Sequence, residues 1–316
     1  MAHVTWGTVS RSILNFLLRQ RKPALNAVFS NEQSQEHSVP KLDLENEYIV
    51  IINFLQQHSL TKAITTMPHR FKARLAAGEL LYGTMITLPT PTTAEILADV
   101  GFDWLFIDGE HGPLGAREIL SILQTVGDKV ACIVRVPEAA EAPIKQALDL
   151  GAGGIIVPQV NTAEQAADVV RWAKYSPIGS RGVGLARAHG YGARFAKYID
   201  TANDETAVII QAEHATAVEN IESIVQVPGI DAIQLGPYDL SASMGRMGRI
   251  DDPEVMEAID CILSASKAVG MPVGCFGVTA SAVRSDIERG CRLITIGVDA
   301  LILGNAAKQI LSDVNA

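Results

Sequence analysis

From about residue 83 to residue 313 the chain repeats one pattern eight times: a short apolar run followed by an amphipathic stretch. An apolar run of this length bounded by polar residues suits a buried strand, and the stretch after it suits a helix with one face against a sheet. Strands are expected at 83–87, 103–107, 130–135, 153–157, 206–211, 231–235, 271–275 and 292–296. Helices are expected near 91–100, 114–125, 139–150, 162–174, 214–226, 253–269, 279–289 and 299–313. Their starts carry ordinary signals, such as Asn161 or Thr162 ahead of Ala163-Glu164 and Asp252 ahead of Pro253-Glu254. Eight such units favour a closed (β/α)8 TIM barrel over an open doubly wound sheet. No Gly-x-Gly-x-x-Gly follows the first strand, so a dinucleotide fold lacks its fingerprint.

Composition narrows the partner. The 316 residues are 48% hydrophobic and 19% charged, a globular profile with length enough for a large core. No apolar run approaches the roughly 20 residues that span a bilayer, so no membrane is expected. A formal net charge of -9 without a basic patch argues against nucleic acid and for a small-molecule substrate. Cys132, Cys261, Cys275 and Cys291 show no Cys-x-x-Cys spacing and are expected to be reduced core thiols.

Residues 1–66 differ from the rest and are expected to form an N-terminal extension to a barrel at 67–316. Residues 1–31 hold Arg11, Arg19, Arg21 and Lys22 and no acid, the composition of a transit peptide. That sets a mitochondrial destination beside the cytoplasmic one. The apolar stretch Tyr48–Leu55 is too short to span a membrane and is not needed by a targeting signal. A disordered or gene-model extension before Met67-Pro68-His69-Arg70-Phe71, and an accessory helix pair, are the alternatives.

A barrel of this kind builds its active site at the C-terminal ends of its strands. Asp108, Glu110 and His111 follow the second expected strand, Arg135 ends the third, Gln211 and Glu213 close the fifth, and Asp239 follows the sixth. Glu213 and Asp239 offer hard oxygen ligands of the type that magnesium or manganese takes. Taken singly, Glu213 also fits a helix cap and Asp239 a turn. A Schiff-base aldolase would need a desolvated lysine at a strand end, and the marked strands hold only Lys129, at an edge. The glycine-rich loop Ser180–Ala188 lacks a Walker lysine.

Phe106-Ile107-Asp108-Gly109-Glu110-His111, Val134-Arg135-Val136-Pro137, Arg181-Gly182-Val183-Gly184, Gln211-Ala212-Glu213 and the run Gly236–Gly245 together resemble the HpcH/HpaI aldolase family. The likeness covers roughly residues 70 to 315. It implies a barrel of the phosphoenolpyruvate/pyruvate-binding type and a class II, metal-dependent pyruvate aldolase acting on 4-hydroxy-2-oxo acids or 2-keto-3-deoxy sugar acids. It further implies that Glu213 and Asp239 hold Mg2+, Mn2+ or Co2+, that Arg135 meets the keto or enolate oxygen, and that His111 is the general base, oriented by Asp149. Gln211 and the backbone of Tyr238 would contact pyruvate, Asp108 would position the aldehyde, and Arg187 would meet its distal polar group. The family also implies a homo-oligomer, a hexamer in which the last helix packs on a neighbour. An acyl-CoA lyase of the same superfamily and a catalytically silent binding barrel are the alternatives.

Overall fold

A computed structural model describes residues 70–315. The expected extension at 1–66, with its transit-peptide composition and the Tyr48–Leu55 run, lies outside the described residues. The strands are β1 (Leu81–Ile86), β2 (Trp104–Asp108), β3 (Ala131–Arg135), β4 (Gly154–Val157), β5 (Ala207–Ala212), β6 (Ala232–Leu235), β7 (Val273–Gly277) and β8 (Leu293–Val298). All pair in parallel with their sequence neighbours, and β8 closes on β1. The (β/α)8 barrel is therefore observed, each strand within about two residues of its expected place.

A six-residue helix α1 (Phe71–Ala76) precedes β1. The outer layer begins with α2 (Pro91–Val100), α3 (Ala116–Val126), α4 (Glu141–Asp149) and α5 (Ala163–Ala173). It continues through α6 (Phe195–Glu205), α7 (Ala215–Glu219), α8 (Ile221–Ile224) and α9 (Pro237–Ser243), then α10 (Pro253–Ala268), α11 (Ala280–Glu288) and α12 (Asp299–Val314). Thr162 and Asp252 are the N-caps expected for α5 and α10, each accepting a backbone N–H from the first turn. Three departures have local causes. The helix expected at 214–226 is broken at Asn220, whose amide donates to the carbonyls of Asn161 and Thr216. Helix α6 buries only Ala202, so it carries no apolar stripe to betray it. Helix α9 is a seven-residue turn opened by Pro237.

Side chains alternate across a strand, so one set fills the barrel and the other faces the helices. Leu81, Trp104, Phe106, Ala131, Ile133, Ile156, Ala207, Ile209, Ala232 and Leu293 form the interior cluster, joined at its N-terminal end by Phe71 and Leu75 of α1. Gly83 makes room for the Trp104 indole, which a Cβ there would meet at 2.5 Å. Continuing two residues at a time, the next positions after these apolar ones are Asp108, Arg135, Gln211 and Gln234. The polar site thus sits directly on top of the packed interior.

Cys132, Cys275 and Cys291 are buried, as expected, whereas Cys261 is exposed on α10; all four are free thiols. No helix among the described residues is long and apolar enough to cross a membrane. Helix α12 buries only Asp299, leaving Leu301, Ile302, Leu303, Ile310, Leu311 and Val314 exposed.

Candidate active site at the C-terminal rim

Arg135 and Asp108 are register partners across β2 and β3. The guanidinium donates from Nε to Asp108 Oδ1 at 2.9 Å and lies 2.9 Å from Oδ2 through Nη2, both side chains being buried. Asp108 Oδ1 also accepts the backbone N–H groups of Glu110 and His111 at 3.1 and 3.3 Å. This carboxylate is committed to fixing Arg135 and the turn that carries His111. Arg135 Nη1 reaches Glu110 Oε2 at 3.1 Å, and the guanidinium carbon stands 5.1 Å from the centroid of the Phe106 ring. Burial raises the Glu110 carboxyl above its usual range, against the pull of Arg135. The His111 side chain is 67% exposed, its Nε2 lying 3.6 Å from Glu110 Oε2.

Glu213 sits just past β5 and is 2% exposed. Its Oε1 accepts the Gln159 backbone N–H at 2.8 Å, and Gln211 Nε2 donates to Oε2. Gln159 takes a positive φ of 55°, unusual for a residue with a Cβ. The cap of α7 is His214, whose Nδ1 accepts from Thr216, so Glu213 does not serve as the helix cap. Gly236 is required beside it, because a Cβ there would stand 2.5 Å from Glu213 Cβ. Asp239 occupies the first turn of α9, where the helix N-terminus favours an acid. Burial pushes the Glu213 carboxyl up to about 7, and the charges of Glu110 and Asp239 add to the rise against the Gln159 hydrogen bond.

These groups leave oxygen atoms unused. Gln211 Oε1, Gln234 Oε1 and Glu110 Oε2 are buried without a hydrogen-bond partner. Such orphans are uncommon in folded proteins, and these three have acceptor capacity left for donors from water or a bound group. No three His, Cys, Asp or Glu side chains among the described residues form a cage for an ion. Two carboxylates among amide oxygens nevertheless suit a hard divalent cation that keeps several positions for water and a chelating substrate.

Of three other expected residues, two lie elsewhere. Asp149 ends α4, at the N-terminal end of the barrel, where its Oδ1 pairs with Arg181 Nη2 at 2.7 Å. It cannot orient His111 of its own chain, which stands at the opposite rim, roughly one strand length of 15 Å away. Arg187 is spent on two helix ends, donating to the carbonyls of Leu150 at 3.0 Å and Leu123 at 2.8 Å, so it is not at the rim of its own barrel. Tyr238 is at the rim, half exposed, in the α9 turn whose first N–H groups lack intrahelical acceptors.

Several contributors escaped the sequence pattern. Gln234 was detectable as a lone amide in the apolar run Ala232-Ile233-Gln234-Leu235, and it pairs in register with Gln211. Gln159 acts through its backbone and had no signal. Lys174 is buried, with Nζ donating to the carbonyls of Asn203 at 2.7 Å and Thr206 at 2.6 Å, and burial pushes its pKa down to about 7. It is the kind of lysine a Schiff-base enzyme uses, but it sits beside the start of β5, below the barrel floor.

Fold and site together define a (β/α)8 enzyme whose rim carries an anchored arginine and clustered acids. Residues 82–306 match the family model described as HpcH/HpaI aldolase/citrate lyase. The chain is 43% identical over 76% of its length to a hydroxypyruvate/pyruvate aldolase of Cupriavidus necator, of which 90% is covered. It is 42% identical over 76% of its length to a 4-hydroxy-2-oxovalerate aldolase of Rhodococcus jostii, of which 92% is covered. A crystal structure of a family protein from Burkholderia cenocepacia superposes with a TM-score of 0.76 at 38% identity, covering 78% of this chain and 100% of that one. The chain belongs to the HpcH/HpaI aldolase/citrate lyase family and is a carbon–carbon lyase.

Proposed function

We propose that the protein is a divalent-metal-dependent aldolase that reversibly cleaves a 4-hydroxy-2-oxo acid, or a 2-keto-3-deoxy sugar acid, to pyruvate and an aldehyde. The observation that carries this is the gathering of Arg135, Glu213, Asp239 and two orphaned amide oxygens over one barrel mouth. Glu213 and Asp239 would hold Mg2+, Mn2+ or Co2+, whose positive charge neutralises the electron density released onto the keto oxygen when the bond breaks.

Cleavage removes the proton from the C4 hydroxyl, breaks the C3–C4 bond, frees the aldehyde and leaves an enolate that is protonated at C3. Arg135, preset by Asp108, offers donors to the developing enolate charge without reorganising. His111 takes and returns the proton, a task suited to an imidazole near neutral pH. Gln211 and the first-turn backbone at Tyr238 orient pyruvate. Asp149 lies at the far end of its own barrel, so on this reading a pairing with His111 would be made between copies of a homo-oligomer. The exposed apolar face of α12 supports that assembly.

The test is a pyruvate-release screen across 4-hydroxy-2-oxo acids and 2-keto-3-deoxy sugar acids, run with each of the three metals and with a chelator. Metal-dependent release from at least one substrate is expected. Release that is indifferent to chelation, or absent from every substrate, contradicts the proposal.

A further inference from the structure

Glu110 is the acid of the rim that the aldolase roles leave without a task. It follows β2 by two residues, and its side chain is 17% exposed. One oxygen, Oε2, faces two partners: Arg135 Nη1 at 3.1 Å and His111 Nε2 at 3.6 Å. Neither contact forms a properly aligned hydrogen bond, so this buried oxygen remains unpartnered among the described residues. Asp239 acts on Glu110, and Glu110 in turn acts on Glu213, so all three carboxylates share one electrostatic neighbourhood. Yet the three do not form a ligand cage. An acid that feels both carboxylates but stands outside their direct reach is placed to accept from water bound between them.

We propose that Glu110 is the positioning residue of this site: it braces Arg135 on the side Asp108 leaves free and holds, through water, the cation carried by Glu213 and Asp239. The inference rests on the aldolase reading of the site. It gives one side chain three dependents, namely the guanidinium that meets the substrate oxygen, the imidazole beside it, and the water shell of the ion. The charged and titratable groups around it are Asp108 and His111 on its own segment, Arg135 on β3, Glu213 after β5 and Asp239 on α9. Replacing the carboxylate by an amide keeps the shape and removes the charge. A purely packing role would therefore survive Glu110→Gln.

The experiment is Mn2+ titration of the intact protein by electron paramagnetic resonance, with water-proton relaxation on the same samples, for wild type, Glu110→Gln, Glu110→Asp and Glu213→Gln. Circular dichroism and the thermal midpoint verify folding. Glu110→Gln is expected to weaken Mn2+ roughly tenfold and change the relaxation enhancement. It should also lower kcat for pyruvate release and shift the pH profile. Glu110→Asp should recover part of the affinity, and Glu213→Gln should remove the site. Unchanged Mn2+ affinity, relaxation and pH profile in folded Glu110→Gln would overturn the role of Glu110 while leaving the aldolase reading standing. If wild type binds no Mn2+, or Glu213→Gln binds as wild type does, the aldolase reading itself fails, and the role of Glu110 with it.

Discussion

The two ends of the barrel handle charge in opposite ways. At the N-terminal floor the charges have partners, Lys174 two carbonyls, Arg187 two helix ends and Asp149 the Arg181 guanidinium, although Arg181 Nε and the Tyr175 hydroxyl stay unpaired among the described residues. At the C-terminal rim, acids outnumber their partners, Glu213 is driven up to about 7, and three oxygens make no aligned hydrogen bond. Both ends are built on the same strands and the same interior cluster, so the contrast is not one of fold. Polar groups that are fully satisfied stabilise; those held unsatisfied by surrounding structure are available for binding. A desolvated lysine at the floor and a desolvated carboxylate at the rim look alike in sequence, and only the second is placed to act.

The contrast can be broken by substitutions at each end. Glu213→Gln or Asp239→Asn should reduce metal-dependent pyruvate release by roughly a thousandfold or more, with the circular dichroism spectrum unchanged. Arg135→Lys comes next. A point charge cannot span Asp108 and the substrate oxygen together, and a loss of roughly a hundredfold in kcat is expected with a smaller change in KM. At the floor, Lys174→Met should behave inversely. Two carbonyls lose their donor, so the urea midpoint should fall by an amount equivalent to about 1–3 kcal/mol, while kcat per folded molecule is retained. A drop in kcat with unchanged stability would erase the distinction between the two ends.

The smallest expected effect is one of pH. The folded Glu213 carboxyl titrates at about 7, above its unfolded value, so the metal-free protein binds this proton more tightly than the unfolded chain does. The stability tied to this group is fully present below the unfolded value near pH 4.5 and is lost as pH rises through about 7. A cation competes with that same proton. Mn2+ affinity should therefore fall by roughly tenfold between about pH 8 and pH 6, as calorimetry in matched buffers can measure. An affinity flat across this range would show that Glu213 is not ionising on binding.

The barrel was legible because eight apolar runs alternate with amphipathic stretches, and periodicity within each is what buried strands and one-faced helices impose. Helix α6 was not, since it buries a single alanine. Asp108, Arg135 and Gln211 could be placed because each extends an inward-facing set by one alternation, and Glu213 by two. Asp149 and Arg187 could not, because a motif gives their neighbours in sequence but not the end of the barrel on which they stand. Gln159 lay beyond reach for another reason: it contributes a backbone N–H set by a positive φ, and no side-chain pattern encodes that.

The most direct test is exchange of the pyruvate methyl protons for deuterium, followed by NMR in heavy water with the purified protein. Exchange should proceed with Mg2+, Mn2+ or Co2+, stop when a chelator is added, and be absent in Glu213→Gln. Exchange at an undiminished rate in the chelated protein, or in that variant, would contradict the assignment of the rim carboxylates to a cation that stabilises the enolate.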